Sequence, residues 1–226
     1  MDKLYCSKTK IIIGNLLLEW WGKNKRSFSW RRSKKPYKVL ISEMLLRKTT
    51  AKQVQERYRE FIRKYPDPKL LSKADEKELS KSLKPLGMEY KRAKLFLEFG
   101  KAITEDFRGR VPSTEKELLN LPGVGQYATN AVLSFSHNKN VPMVDTNFIR
   151  FLERIFGFKS KKSRARNDTD IWEFASTLIP DGKSRDFNLA VLDFGAVLCK
   201  AKNPKCDMCP LIKYCVFHKK IKTIKK

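Results

Sequence analysis

Apolar residues recur at helical spacing along most of the chain, whereas the strict alternation expected of strands is scarce. The first such segment places Ile13, Leu16, Leu17 and Trp20 on one helix face. The spacing is repeated over residues 39–50, 93–100 and 171–178. Glycine and proline residues punctuate the intervals between these segments. The pattern predicts a nearly all-α fold of about ten short helices.

The sequence LPGVGQY at residues 121–127 lies between two of the predicted helices. We expect Ser113 to cap the preceding helix, and the following helix to run over residues 127–135. Glycines permit positive φ and close approach of another surface, and the amides at a helix start can hold a phosphate oxygen. Such a helix–hairpin–helix grips the DNA backbone without reading its sequence. An ordinary helix–helix turn is the alternative.

The chain of 226 residues carries 49 Lys and Arg against 24 Asp and Glu, which gives a formal net charge of +25. A surplus of this size points to a polyanionic partner, most often nucleic acid. A Lys-rich composition inherited from an AT-rich genome or a thermophile is the alternative. If nucleic acid is the partner, affinity should fall steeply with salt because bound counterions are released.

Four of the five cysteines lie close together, and Cys6 is left over as a thiol expected to be inert. The four follow the spacing C-x6-C-x2-C-x5-C, which predicts a metal centre. A compact wrap with one inner Cys-x-x-Cys pair favours a [4Fe–4S] cluster over zinc, and zinc stays open on spacing alone. A disulfide framework is less favoured than either. The four cysteines are Cys199, Cys206, Cys209 and Cys215.

The start of the chain, MDKLYCSKTK, lacks the apolar run and cleavage site of a signal peptide. The apolar stretch at residues 11–21 is too short to span a bilayer, and Gly14, Asn15 and Glu19 interrupt it. An oxygen-sensitive cluster and a free thiol suit a reducing compartment. We therefore expect a cytoplasmic protein without a membrane partner.

These features together resemble the helix–hairpin–helix DNA glycosylases of the endonuclease III superfamily. The resemblance is carried by LPGVG followed by a tyrosine, by Val144–Asp145–Thr146–Asn147 and by the cysteine spacing, and it covers nearly the whole chain. Within the superfamily the chain looks closest to the archaeal-type thymine-DNA mismatch glycosylases and next closest to the adenine-DNA glycosylases. Further matching segments are FSWR at 28–31, PY at 36–37, SEMLLRKTT at 42–50 and RDFNL at 185–189.

The resemblance implies an all-α, two-domain fold. A six-helix barrel domain with the hairpin is expected over residues 29–141, inserted in a cluster domain over residues 1–28 and 142–226. It also implies a [4Fe–4S] cluster on the four cysteines, and a cleft between the domains that takes an extruded base. The partner implied is double-stranded DNA containing a mismatched or damaged base. We expect a monomer, because one bound duplex occupies one cleft, in a prokaryotic, nucleoid-associated setting.

The resemblance also implies roles for single residues. Asp145 matches the catalytic aspartate, which stabilises the sugar cation and can activate water, although an aspartate before a helix also serves as a plain cap. Glu43 matches a glutamate of the base pocket, with a helical pair to Arg47 as the alternative. Asn147 matches an asparagine that assists at the sugar.

Other matching positions are expected to bind DNA. Arg47 or Lys48, together with Leu189, would fill the gap left by the flipped nucleotide, although Leu189 suits a core position equally well. The hairpin residues would contact the DNA backbone, with Gln126 standing where relatives often carry a basic residue. Thr146 is bulkier than the usual residue at its position. The hairpin contacts are Leu121, Gly123, Val124, Gly125 and Gln126.

Tyr127 decides the expected reaction type. Bifunctional endonuclease III members carry a lysine at this position, whose amine forms a Schiff base, and a phenol cannot do so. We therefore expect a monofunctional glycosylase without strong lyase activity, acting on thymine or uracil opposite guanine. Removal of adenine opposite 8-oxoguanine or guanine is the enzyme alternative, disfavoured because the chain stops soon after Cys215. A DNA-binding module with a structural cluster is the alternative without catalysis.

Overall fold

The computed structural model describes residues 6–224. All regular elements in this range are helical, which confirms the predicted all-α class. No helix among these residues is long and apolar enough to cross a membrane. The chain divides into two compact units, Met1–Arg26 with Asn138–Lys226 and Ser27–His137. The outermost residues of the predicted domains, 1–5 and 225–226, lie outside the described range.

The unit built from both chain ends has a core rich in phenylalanine. Phe148, Phe151, Phe187 and Phe194 are each at most 2% exposed. Within this unit α1 packs against α11, α11 packs against α9, and α12 packs against a π-helical continuation of α9. The helices are α1 (Ser7–Asn24), α9 (Thr146–Phe151), the π segment (Leu152–Phe156), α10 (Thr169–Ser176), α11 (Ser184–Val197) and α12 (Val216–Ile224).

The second unit is also a bundle of helices. Here α4 and α5 pack against α6, and α2 packs against α8. Short polar side chains start most of these helices, because an oxygen at the N-cap satisfies an otherwise unpaired amide. The helices are α2 (Pro36–Leu46), α3 (Ala51–Lys64), α4 (Pro68–Ser72), α5 (Glu76–Leu83), α6 (Glu89–Asp106), α7 (Glu115–Leu119) and α8 (Gln126–His137).

Two local predictions are wrong. The helical spacing over residues 39–50 does not form one helix, because α2 ends at Leu46 and Thr50 caps α3 in a capping box with Gln53. Lys48 between them has a φ of 52°, which a helix cannot contain. The cap of α7 is Thr114 rather than Ser113, since the Thr114 hydroxyl accepts from the Glu117 amide.

Candidate active site and cysteine motif

Asp145 caps α9 and accepts hydrogen bonds from the first turn of that helix. Its Oδ1 accepts from the backbone amides of Asn147 at 2.9 Å and Phe148 at 2.8 Å. Its Oδ2 accepts from the side-chain amide of Asn147 at 2.6 Å. The cap alternative is therefore confirmed, and it is compatible with catalysis because hydrogen bonding fixes the carboxylate without neutralising it.

The surroundings of Asp145 disfavour its negative charge. Burial raises the pKa of this carboxyl above its ordinary value, and the hydrogen bonds from Phe148 and Asn147 and the charge of Arg150 offset only part of that effect. A desolvated carboxylate interacts more strongly with a nearby cation than a solvated one does. The site is thus suited to stabilise positive charge developing beside it.

Arg150 extends the contacts of Asp145 toward the cysteine motif. Its Nη2 donates to Oδ1 of Asn147 at 2.7 Å and to the carbonyl of Gly195 at 2.8 Å. Its Nε donates to the carbonyl of Cys199 at 2.8 Å. Because Oδ1 of Asn147 accepts from Arg150, its Nδ2 is turned toward Asp145. A continuous chain of hydrogen bonds therefore joins Cys199 to the candidate catalytic carboxylate.

Gly195 on α11 has no side chain, and Asn147 occupies the space that a side chain there would fill. A Cβ at this position would lie 2.7 Å from Cβ and 2.8 Å from Oδ1 of Asn147. Such distances are far below ordinary contact, so any larger residue would displace Asn147. The close approach of α11 to α9 thus depends on glycine here.

Glu43 and Tyr127 belong to the other unit. Glu43 is half-buried on α2 between buried Ser42 and Met44, and Tyr127 is half-buried in the first turn of α8. Since α2 packs against α8, both residues stand on a pair of contacting helices. The side chain of Arg47 turns toward the hairpin, where its Nη1 lies 3.4 Å from the carbonyl of Gly123.

The hairpin connects α7 to α8 as the sequence predicts. Gly123 has a φ of 75°, a conformation that strongly favours glycine, and a Cβ there would also lie 2.8 Å from the Leu95 side chain, which would have to move. Gly125 is exposed, with open space around its Cβ position. Leu121 and Val124 are 3% and 6% exposed, which leaves only their backbone available to a partner.

Gln126 is held at the start of α8. Its Nε2 donates to Glu115 at 2.6 Å and to Asn130 at 3.0 Å. These bonds occupy both hydrogens of the side-chain amide. A contact of Gln126 with a phosphate would therefore have to use its backbone amide or break an existing bond.

Arg92, which the sequence analysis missed, organises the turn that carries Arg47 and Lys48. Its guanidinium donates to the carbonyls of Met44, at 2.9 Å, and of Arg47, and to the Thr49 hydroxyl at 2.6 Å. The residue is only 6% exposed, and burial, with the charge of Arg47, lowers its pKa. In the sequence, Arg92 directly precedes Ala93, which belongs to the apolar stripe of α6. That position could have indicated that Arg92 is buried.

A cavity of about 490 Å³ adjoins this turn. Its lining includes Arg47, Lys48 and Lys91, so it is basic, and Met88 contributes an apolar side chain that is 50% exposed. Met88 has a φ of 57°, an uncommon conformation for a residue other than glycine. Exposure and backbone strain together mark Met88 as a further candidate contact that no sequence pattern indicated.

Leu189 lies on α11 and is 3% exposed. A wedge that enters a DNA duplex must present its side chain at the surface. The observed burial therefore favours the core position, the second of the two roles that the sequence left open.

Within the described residues, none of the four motif cysteines forms a disulfide, and neither does Cys6. Burial raises the pKa of Cys209 to about 12, and the neighbouring thiols Cys215, Cys199 and Cys206 act in the same direction. The backbone amide of Leu211 opposes this effect at Cys209. Burial also raises the pKa of Cys215, and the amide of His218, which lies 3.4 Å from Sγ of Cys215, opposes that shift. Four neighbouring cysteine thiols, two of them with backbone amides directed at the sulfur, are the donor type that a thiolate-ligated cluster uses.

Among residues 6–224, no three His, Cys, Asp or Glu side chains are gathered as ligands of a metal ion would be. The case for a cluster therefore depends on the chemistry of the donor set and on family membership.

The profile of the HhH-GPD superfamily base excision DNA repair proteins matches residues 41–176. The chain belongs to this superfamily. The profile of the iron–sulfur binding domain of endonuclease III matches residues 199–215, the span of the four motif cysteines. The predicted [4Fe–4S] cofactor is thereby confirmed, and Cys199, Cys206, Cys209 and Cys215 are the residues that would hold it.

Several relatives of this superfamily member align over most of its length. A thymine/uracil-DNA glycosylase of Pyrobaculum aerophilum is 42% identical, with 90% of each chain covered. A thymine/uracil-DNA glycosylase of Methanothermobacter thermautotrophicus is 39% identical over 99% of this chain and 100% of the relative. An adenine DNA glycosylase of Buchnera aphidicola subsp. Schizaphis graminum is 31% identical over 96% of this chain and 62% of the relative.

Solved structures of the superfamily support the same grouping. The structure of a thermostable thymine-DNA glycosylase matches with a TM-score of 0.90 and 38% identity, covering 94% of this chain and 98% of that one. A non-covalent endonuclease III–DNA complex matches with a TM-score of 0.82 at 22% identity, which shows a shared fold. The predicted resemblance is confirmed, and so is its order, since the thymine/uracil-DNA glycosylases match at higher identity than the adenine DNA glycosylase.

Proposed function

We propose that this HhH-GPD protein is a monofunctional DNA N-glycosylase that removes thymine or uracil mispaired with guanine. Thymine/uracil-DNA glycosylases align with nearly all of the chain at 39–42% identity, and adenine glycosylases are more distant. The net charge of +25 suits a duplex DNA substrate. We further propose that the protein acts as a monomer associated with the nucleoid in a prokaryotic cytoplasm.

The observation that carries the proposal is the state of Asp145. Its carboxylate is fixed by hydrogen bonds from one helix turn, and burial raises its pKa. Cleavage of an N-glycosidic bond develops positive charge on the sugar, and a desolvated, fixed carboxylate stabilises such a cation without reorganising. Asn147 keeps the second carboxylate oxygen in place.

The reaction follows from this chemistry. The bond between C1′ and the base nitrogen breaks, and its electron pair leaves with the base. Water then bonds to C1′, the Asp145 carboxylate takes up its proton, and the departing base gains a proton from solvent or from Glu43. Thymine and uracil leave as fairly stable anions, so they need less acid assistance than adenine does. The bound cluster would hold the cysteine wrap together, and none of these steps passes through it.

The remaining residues divide between the base and the DNA backbone. We assign Glu43 to the base pocket and Tyr127 to the flipped nucleotide. The hairpin amides around Gly125 would hold a backbone phosphate, and Arg47 and Lys48 would occupy the gap in the duplex. Lys48 is exposed on a turn that Arg92 braces, so the turn is ordered before DNA arrives. Preorganisation of this kind lowers the entropic cost of binding.

A substrate panel tests the proposal. Duplexes containing G·T, G·U, A·8-oxoguanine and thymine glycol are incubated with the holoprotein, and the released base is quantified by chromatography. We expect thymine and uracil to be released, with strand breaks appearing only after alkali. Preferential release of adenine would support the adenine alternative. DNA binding without release of any base would support the non-catalytic alternative.

A further inference from the structure

Arg154, in the π segment that follows α9, contacts the first part of the cysteine motif. Its Nη1 donates to the carbonyl of Lys200 at 2.7 Å, and its Nη2 donates to that of Ala201 at 2.9 Å. Nη1 also lies 3.4 Å from Sγ of Cys199. The planar guanidinium thus holds two successive carbonyls and is directed at a ligand sulfur, an arrangement that lysine could not reproduce.

The same residue contacts the other end of the motif. Its guanidinium carbon lies 4.5 Å from the centroid of the Phe217 ring. Its backbone carbonyl lies 3.3 Å from Sγ of Cys215. Arg154 therefore contacts the surroundings of the first and last cysteines at once. The π geometry is relevant because such segments are rare and occur mostly at functional sites.

The positive charge of Arg154 is directed at the sulfurs rather than at an acid. Within the described part of the chain, its contacts are carbonyls, sulfur and an aromatic ring, and none is a carboxylate. Arg154 is half-buried, whereas Lys200, Lys202, Lys205 and Lys213 are exposed to solvent, which screens them. A [4Fe–4S] cluster with four thiolates is an anion, and charge and hydrogen bonds near its sulfurs set its potential.

We propose that Arg154 closes the cysteine wrap and tunes the cluster, in two separable ways. The bonds to Lys200 and Ala201 hold the first part of the wrap and slow the loss of iron. The charge beside Cys199 stabilises the more negative, reduced form and so raises the reduction potential. Both effects concern the cluster and not the substrate, so they can be tested whichever base the enzyme removes.

The test compares R154Q and R154K with the wild-type holoprotein. Iron release to a chelator is followed through the visible absorbance of the cluster, and the one-electron reduction potential is measured by voltammetry on DNA-modified electrodes. For R154Q we expect iron release to be about tenfold faster, because the variant loses hydrogen bonds made by a charged group, and the loss of one such bond typically has an effect of about that size. We also expect the equilibrium between reduced and oxidised cluster to shift about tenfold toward oxidised, which is ~59 mV.

R154K separates the two effects. It keeps the charge but not the paired carbonyl bonds, so it should lose iron faster than wild type while keeping a potential near the wild-type value. Lys213→Gln is the matched control, because it removes an exposed charge from the same motif and should change neither quantity. If R154Q takes up no iron, the holding role is supported, and R154H then tests the charge. Its imidazole is charged at acidic pH and neutral at alkaline pH, so the reduction potential should fall between the two by more in R154H than in Lys213→Gln, and an equal fall in both would overturn the role of the charge.

Two results would overturn the proposal. Wild-type rates of iron release in both Arg154 variants would show that the wrap is closed without this residue. A potential in R154K as low as that in R154Q, or a potential in R154Q equal to that of wild type, would show that the charge of Arg154 does not act on the cluster.

Discussion

The side-chain amide of Asn147 donates to Oδ2 of Asp145 over 2.6 Å. This bond makes the orientation of the carboxylate depend on a neutral neighbour whose own orientation is set by Arg150. Arg150 in turn is anchored on the carbonyls of Gly195 and Cys199. The candidate catalytic group is thus positioned by α9, by α11 and by the start of the cysteine motif, all within one unit.

Asp145→Asn tests whether the carboxylate is more than a cap. Asparagine caps helices about as well as aspartate does, so the free energy of unfolding should change by no more than about 1 kcal/mol. Base release under single-turnover conditions should fall at least about 100-fold, because the role proposed for Asp145 requires its negative charge. DNA affinity, measured by fluorescence anisotropy, should stay near that of wild type.

Asp168→Asn is the matched control for this variant. Asp168 is also a buried aspartate at a helix N-cap in the same unit, where it accepts from the Ser160 hydroxyl and from the Asp170 amide. Its replacement should leave base release unchanged. Equal activity of Asp145→Asn and wild type would refute the assignment of Asp145.

The raised pKa of Asp145 predicts how activity depends on pH. In the role proposed for Asp145 only the ionised carboxylate is active, so single-turnover rates should fall on acidification with a midpoint above the usual range of an aspartate. The measurement is a rate–pH profile with a fixed G·U duplex. A midpoint at or below the ordinary value would contradict the burial seen in the structure.

The raised pKa of Asp145 also predicts how the stability of the fold depends on pH. The folded protein holds the Asp145 proton more tightly than the unfolded chain, so this group stabilises the fold most at low pH. That contribution is lost as pH rises from the unfolded pKa to the raised folded pKa. As pH rises from the unfolded pKa to the folded pKa, the free energy of unfolding of Asp145→Asn should therefore increase relative to that of wild type. Above the folded pKa the difference between the two proteins should stay constant. Urea unfolding at a series of pH values measures this difference.

Arg150 is expected to act as a positioning residue. In Arg150→Met, Asn147 loses the donor that orients it, and we expect base release to slow about 10- to 100-fold with little change in DNA affinity. The positive charge that lowers the pKa of Asp145 is also lost, so the acid limb of the rate–pH profile should move to higher pH. Arg150→Lys should restore the position of that limb but only part of the rate. If the acid limb of the rate–pH profile does not shift in Arg150→Met, the role of Arg150 is structural only.

The sequence alone predicts the helical class, the hairpin and the cysteine motif, because each depends on residues close together in the chain. Periodicity fails where local chemistry interrupts it. Residues 39–50 keep a helical apolar spacing, yet the left-handed Lys48 and the capping box at Thr50 divide them into two helices. A capping box was visible in the sequence as threonine followed by glutamine three residues later, and the apolar pattern concealed it.

The arrangement around the candidate site depends on tertiary contacts that no local pattern encodes. Arg150 follows Asp145 by five residues, but its partners Gly195 and Cys199 come from a distant part of the chain. In a chain with 49 Lys and Arg, one more arginine carries little signal. Leu189 shows the converse, since its sequence match suggested a wedge and only the fold shows it to be buried.

Gly195→Ala tests the packing that places Asn147. An added Cβ would lie 2.7 Å from Cβ of Asn147, so the variant should lose about 1–3 kcal/mol of unfolding free energy and slow base release. Gly22→Ala in α1 is the control, because nothing lies within 4 Å of its Cβ position and alanine favours a helix. Gly22→Ala should be as stable as wild type or more so. Thermal melts and single-turnover assays on both proteins make the comparison.

Tyr127 is the residue that should exclude strand cleavage. A phenol cannot form an imine with the abasic sugar, so borohydride should trap no covalent complex with wild type or with Tyr127→Phe. Tyr127→Lys places a primary amine where bifunctional members of the superfamily carry their lysine, and it should give a borohydride-trapped adduct and strand breaks without alkali. Trapping is scored by denaturing gel with a G·U duplex, and Tyr127→Met serves as a control for loss of the aromatic ring. An adduct formed by wild type would mean that another amine reaches the sugar, and the monofunctional assignment would then be wrong.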